Sequence, residues 1–215
     1  MQWVIGDVHG CFVELLNLLR LIQFRPTSDE VIFLGDLVDR GEHSKAVVDF
    51  VREGKAKGYF HVVRGNHEDE WLRAVRMNVE DWYSEKYPET WHDFDGRDGT
   101  RRFAEWVDTL PLYIETEHAL LIHAGMEPDK HYTKQSTQSL LWTRSVEPIP
   151  AEHRDGKVVV HGHTPVGHPL ISPDQVNIDT GCVFGGQLTA LSLDAFGKGE
   201  IVWSSVDGWK RKAVS

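Results

Sequence analysis

VIFLGDLVDRG (residues 31–41) starts as a short run of buried-strand residues and ends in glycine, two carboxylates and an arginine. The same pattern, an apolar run closed by glycine and a polar group, occurs on either side of it. Gln2 to Ile5 leads into Gly6-Asp7-Val8-His9-Gly10, and Tyr59 to Val63 leads into Arg64-Gly65-Asn66-His67-Glu68. Between the first two runs, Phe12, Leu15, Leu16, Leu19 and Ile22 recur at helical spacing. Between the second and third, Ser44 is placed to cap a helix whose apolar face carries Val47, Val48 and Val51. Strand, helix, strand, helix, strand in this order predicts parallel strands joined by right-handed crossovers.

The stretch from about residue 71 to 110 is helical in pattern, rich in charge, and carries Trp71, Trp82, Trp91 and Trp106. Thr100 is the expected cap of a helix bearing Phe103, Trp106, Val107 and Leu110, stopped by Pro111. Tryptophans at helical spacing are more often core than substrate groove, and Trp106 is assigned to the core. A meander of strands follows: Leu112 to Glu115, Ala119 to His123, Val158 to His161, Val176 to Ile178, Gln187 to Leu193 and Glu200 to Val206. No repeat or linker divides the chain, so residues 1–215 are expected to form one α/β domain. Its expected architecture is two mixed β-sheets packed as a sandwich and flanked by helices.

Composition narrows the function. Twenty-three Lys+Arg against 33 Asp+Glu give a net charge of −10, which lacks the broad basic field that polymeric nucleic acid requires. No apolar run is long enough to span a membrane, and MQWVIGD carries no basic leader, so a cytoplasmic protein is expected. Cys11 and Cys182 are far apart, outside any CxxC arrangement, and fit a reducing compartment. The excess lies in the 12 histidines.

Polar groups are concentrated at strand ends: Asp7 and His9, Asp36 with Asp39 and Arg40, Asn66 and His67, His123, and the pair His161 and His163. The carboxyl ends of parallel strands are where such sheets bind ligands. Glycine precedes Asp7, Asp36, Asn66 and His163, which permits the tight turns needed for short side chains to converge. Carboxylate, imidazole and amide together suit Mn²⁺, Fe or Zn²⁺ better than an all-oxygen shell, and the missing thiolate argues against structural zinc. Each fragment alone reads as a turn or a helix cap. Five of them in strand-terminal order do not.

The motifs GDVHG (6–10), GDLVDRG (35–41), RGNHE (64–68), HAG (123–125) and GHTP (162–165) resemble those of the phosphoprotein phosphatase family of dinuclear metallophosphoesterases, in its bacterial serine/threonine branch. The tail NIDTGCVFGGQLTALSL (177–193) extends the resemblance along nearly the whole chain, with residues 71–110 covered least well. The resemblance implies a calcineurin-like metallophosphoesterase fold. It also implies two divalent ions, with Mn²⁺ favoured and Fe or Zn²⁺ as alternatives. Asp7, His9 and Asp36 would hold one ion, and Asp36 would bridge to a second held by Asn66, His123 and His163. Spacing alone leaves His161 open, because residues two apart on a strand point the same way. Pro165 stands where other metallophosphoesterases carry a further histidine, in agreement with the phosphatase branch.

The implied reaction is direct attack of a metal-bridging hydroxide on a phosphoserine or phosphothreonine monoester. His67 would protonate the leaving oxygen, Asp39 would hold its ring, and Arg40 and Arg144 would bind phosphate oxygens. Arg64 and Glu68 are assigned structural roles. A Cys-x5-Arg loop and a G-x-x-x-x-G-K-[ST] loop are both absent, which removes the cysteine-dependent and P-loop mechanisms. The rival substrate is diadenosine tetraphosphate, cut symmetrically; relatives of that kind typically carry Ala at position 39 and Asp at position 68. The expected partner is a phosphorylated protein or peptide, with no polymeric nucleic acid or membrane, and the expected state is a monomer.

Overall fold

The computed structural model describes residues 1–144, 147–198 and 200–208. In chain order the elements are β1 (Gln2–Ile5), α1 (Phe12–Leu21), β2 (Glu30–Phe33), α2 (Ser44–Ala56), β3 (Phe60–Val62), α3 (Asn66–Arg76), α4 (Glu80–Lys86), α5 (Pro88–Asp93), α6 (Arg97–Asp108), β4 (Tyr113–Glu115), β5 (Ala119–Ile122), α7 (Thr137–Trp142), β6 (Val158–His161), β7 (Leu170–Ile171), β8 (Gln175–Asn177), β9 (Gln187–Ser192) and β10 (Val202–Asp207). They build two five-stranded sheets, ordered β10-β9-β1-β2-β3 and β4-β5-β6-β8-β7.

Both sheets are mixed. β1, β2 and β3 run parallel, while β9 and β10 pair antiparallel on the other side of β1. In the second sheet β5, β6 and β8 run parallel and both edge strands are antiparallel. The period-two alternation of strand side chains sorts the core into layers. Trp3, Ile5, Val31, Phe33 and Phe60 face one way and join Leu15, Leu18, Val47 and Val51 of the helices. Val4, Ile32 and Leu191 face the other way and meet Ala119, Leu121, Val160 and Val176 of the second sheet. Leu120, Ile122 and Val159 project beyond that sheet onto Leu140 and Tyr132. The arrangement is the expected sandwich of two sheets between helices. Among the described residues no helix is long and apolar enough to cross a membrane.

The Trp-rich stretch becomes α3 to α6 and shares the first core: Trp71, Leu72, Phe103, Ala104 and Val107 are buried in it. Trp91 and Trp106 are partly buried against it, and Trp82 is exposed.

Two caps differ from the sequence expectation. Ser44 is the first residue of α2, and its hydroxyl accepts the backbone N–H of Asp39 at 3.0 Å in place of a helical N–H. α6 begins at Arg97, so Thr100 lies inside it, donating its hydroxyl to the carbonyl of Gly96 at 2.8 Å. Serine and threonine have more than one backbone partner within reach, and here tertiary demand and back-bonding take them. The edge strand β7 was not expected from the sequence; Leu170 and Ile171 are both exposed.

Candidate active site

β1, β2, β3, β5 and β6 all release the chain on one side of the sandwich, and the residues that follow them converge. The turns must pass very close together. A Cβ on Gly35 would lie 2.4 Å from the amide nitrogen of Gly65, and one on Gly65 would lie 2.2 Å from that of Asp36. Only glycine at both positions lets the turns after β2 and β3 touch. His9, Asp36, Asp39, Arg40 and His163 adopt positive φ of 45°, 49°, 70°, 70° and 68°. L residues other than Asn and Asp rarely enter this region, and such strain concentrates at functional sites.

Donor atoms within 4.8 Å of one another form two groups: His9, Asp36 and His67, and Asp36, His123 and His163. Asp36 belongs to both. Its Oδ2 lies 3.4 Å from Nε2 of His9, and its Oδ1 lies 3.4 Å from Nε2 of His123. One carboxylate oxygen per group is what a bridging ligand requires. Asp7 is buried beside them, and both its oxygens lie 3.2 Å from the backbone N–H of His163.

The imidazoles are set up as ligands. Nδ1 of His9 donates to the carbonyl of Val38 at 2.7 Å, and Nδ1 of His123 donates to that of Leu34 at 2.8 Å. Each bond fixes the tautomer and turns the lone pair of Nε2 inward, the outer-partner arrangement of metal-binding histidines. Nε2 of His123 then faces Oδ1 of Asn66 at 2.8 Å and Nδ1 of His163 at 3.2 Å, while Oδ1 of Asn66 and Nδ1 of His163 are 2.9 Å apart. His123 Nε2 and Asn66 Oδ1 are both acceptors with no proton to share, a repulsive contact that a cation converts to attraction. The donor set therefore fits a pair of divalent ions.

Electrostatics separate the histidines by role. Burial drives His9 well below its ordinary value, drives His123 down, and drives His163 to about 3, the last with help from the charge of His123. Neutral imidazoles are what ligands must be. His67 goes the other way. Burial pulls it down, but the charge of Asp36 and the hydrogen bond and charge of Asp39 outweigh burial and raise it. Burial lifts the Asp7 carboxyl well above the usual range, reinforced by Asp179 and Asp36. Such crowding of carboxylates is relieved by a cation.

Asp39 is fully buried, and its Oδ2 lies 2.7 Å from Nδ1 of His67. The indole N–H of Trp71 donates to Asp39 Oδ1 at 3.0 Å. Trp71 was missed as a site residue, although it follows His67 by four on α3 and so shares its face. Glu68 accepts the backbone N–H groups of Asp36 at 2.8 Å, Leu37 at 2.8 Å and Gly65 at 3.0 Å, the structural role expected of it. Arg64 pairs with Asp69 at 3.2 Å and donates to the carbonyls of Asp108 and Leu110. Nη1 of Arg40 reaches Nε2 of His9.

His161 and His163 are separated by the end of β6. His161 is the last strand residue, whereas His163 lies past it in left-handed conformation, so the same-side rule for strands does not apply to the pair. His163 enters the donor group. His161 instead borders a cavity of about 620 Å³ beside the centre, lined also by Ala124, Arg144, Thr164 and Leu170. Arg144 is exposed there, close enough for its charge to bear on His163. Asp179 is buried at the same strand ends, where burial and the charge of Asp36 lift it to about 6.

The chain is similar to known proteins over most of its length. The bis(5′-nucleosyl)-tetraphosphatase PrpE [asymmetrical] of Anoxybacillus flavithermus is 34% identical, with the alignment covering 87% of this chain and 88% of the relative. Serine/threonine-protein phosphatase 1 of Salmonella typhimurium is 31% identical, covering 87% and 89%. A solved serine/threonine phosphatase from Saccharomyces cerevisiae is 17% identical with a TM-score of 0.71, covering 99% of this chain and 81% of that one, and shares the fold. The calcineurin-like phosphoesterase family profile matches residues 2–201, and this chain belongs to that family of metal-dependent phosphoesterases.

Proposed function

We propose that the protein is a phosphoprotein phosphatase that hydrolyses phosphoserine and phosphothreonine monoesters in the cytoplasm, with Mn²⁺ as its metal. The observation that carries this reading is the buried hydrogen bond between Asp39 and His67, 2.7 Å long. Two divalent ions at Asp7, His9, Asp36, Asn66, His123 and His163 supply, when bound, an activated water and charge neutralisation of the phosphoryl group. The remaining work belongs to the chain. Asp39 orients the His67 ring and favours its charged form, so that Nε2 carries a proton for the departing serine or threonine oxygen. Trp71 holds the Asp39 carboxylate in place through its indole N–H. Arg40 and Arg144 offer planar guanidinium forks to the phosphoryl oxygens.

A second reading is hydrolysis of a dinucleoside tetraphosphate. It is supported by the name of the 34%-identical relative, which specifies the asymmetrical cut. The leaving group there is itself a phosphate, far less basic than an alkoxide, and has little need of a proton donor. A retained Asp39–His67 pair therefore favours the monoester. The two readings are separated by kcat/KM on a phosphoserine peptide and on diadenosine tetraphosphate, measured with Mn²⁺. A higher value on the peptide is expected. A higher value on the tetraphosphate overturns the first reading, and its products then distinguish a symmetrical cut (two ADP) from an asymmetrical one (ATP and AMP).

A further inference from the structure

Phe184, in the tail motif that follows β8, is 65% exposed. Its backbone is nevertheless tightly held. It ends a one-turn 3-10 helix, Cys182–Phe184, flanked by Gly181 and Gly185 at φ of 72° and 84°. Cys182 and Val183 are buried and anchor the turn to the core. Amides of Phe184 and Gly186 both donate to the carbonyl of Gly181, at 2.9 and 3.0 Å, and Gly208 donates to Gly186 at 2.7 Å. A Cβ on Gly186 would lie 2.1 Å from the carbonyl oxygen of Thr180, so only glycine fits at this point of the turn. The turn presents a large apolar ring to water, which hydrophobic burial alone opposes.

The side chain of Arg40 lies over this ring. The guanidinium carbon of Arg40 lies 5.5 Å from the centre of the Phe184 ring, while Nη1 of the same side chain reaches Nε2 of His9. The guanidinium thus stands between an aromatic face and the metal-ligand cluster. A guanidinium beside a site for divalent cations is repelled towards solvent, and a long exposed side chain has many rotamers to escape into. A ring face attracts the cation through its quadrupole and limits that escape.

We propose that Phe184 is a positioning residue for Arg40: its ring holds the guanidinium at the rim of the site, within reach of a phosphoryl group bound there. This inference rests on the reading of Arg40 as a phosphate clamp. It is independent of whether the phosphate belongs to a protein or a nucleotide.

The test is calorimetric binding of inorganic phosphate to the Mn²⁺-loaded protein. Phe184→Ala is expected to weaken binding by about two- to fivefold, the range for a cation–π contact at an exposed site. Phe184→Trp should restore it, whereas Phe184→Leu, with bulk but no ring quadrupole, should not. In an Arg40→Ala background, Phe184→Ala should have no further effect. The KM for p-nitrophenyl phosphate should rise by the same factor, with kcat changing less. If Arg40→Ala leaves phosphate affinity unchanged, the clamp reading of Arg40 fails. If Arg40→Ala weakens binding but Phe184→Ala does not, or if Phe184→Ala weakens it equally without Arg40, the positioning role of Phe184 is wrong.

Discussion

Glu68 receives the backbone N–H of Asp36 at 2.8 Å, so a side chain on α3 holds the turn that delivers the bridging carboxylate. The other Glu68 oxygen takes the N–H of Leu37 at 2.8 Å, and the amide of Gly65 adds a third donor at 3.0 Å. All of these groups are buried, so the three amides depend on this carboxylate. Leaving a buried donor unpaired costs about 1–3 kcal/mol. Glu68→Ala should therefore lower unfolding stability by about 3 kcal/mol or more, and Glu68→Gln, which keeps one good acceptor, by about half of that. Urea denaturation of the metal-free variants measures this. An alanine variant as stable as the parent would show that Glu68 does not hold the turn.

Asp36→Asn preserves shape and removes the charge shared by both donor groups. Oδ1 and Oδ2 face different groups at 3.4 Å each, so both sites should weaken together. The loss in Mn²⁺ affinity should exceed about 100-fold, beyond the effect of changing an outer partner of a metal ligand. Calorimetric titration gives affinity and stoichiometry in one experiment. Two ions bound with normal affinity would remove Asp36 from the bridging position.

His163→Ala should damage the second metal site far more than His161→Ala. His163 sits in the donor group with Asp36 and His123, and its Nδ1 is within 3.2 Å of His123 and 2.9 Å of Asn66. His161 turns its Nδ1 to the carbonyl of Gly162 and borders the neighbouring cavity. Metal titration of the two variants decides between them, and the reverse order would move the ligand to His161.

Strand ends were the most legible part of this chain. Glycine followed by a polar residue after an apolar run marks a turn that only a few conformations satisfy, and four such turns, at Asp7, Asp36, Asn66 and His163, mark strand ends that the two sheets bring together. The choice between His161 and His163 was closed to spacing because the end of β6 is set by pairing with β5 and β8, which the local sequence does not contain. Trp71 was hidden for a different reason. Its apolar bulk fits the buried face of α3, and only the position of Asp39, 32 residues away, gives its indole N–H a partner. Thr100 and Ser44 were misplaced as caps because a hydroxyl can donate to a carbonyl, as Thr100 does, or accept an amide from elsewhere, as Ser44 does, and only tertiary structure chooses among these partners.

The last prediction joins mechanism to substrate through His67. If His67 donates the proton, its worth depends on how badly the leaving oxygen needs one. A serine alkoxide needs it badly, and p-nitrophenolate hardly at all. General acid catalysis supplies about 10²–10⁴-fold where it is needed, so His67→Asn should slow a phosphoserine peptide by that order and p-nitrophenyl phosphate far less. Asp39→Asn should show the same bias in weaker form, since Asp39 acts through its 2.7 Å bond to the ring. Trp71→Phe, which removes only the N–H donated to Asp39 at 3.0 Å, should be weaker still. The order His67, Asp39, Trp71 follows from distance to the departing oxygen, because each step outwards leaves the acid itself in place. Steady-state kinetics on the two substrates checks the series. Equal losses on both leaving groups would take the acid role from His67 and leave it as support for the metal site, where His9 and Asp36 already surround it.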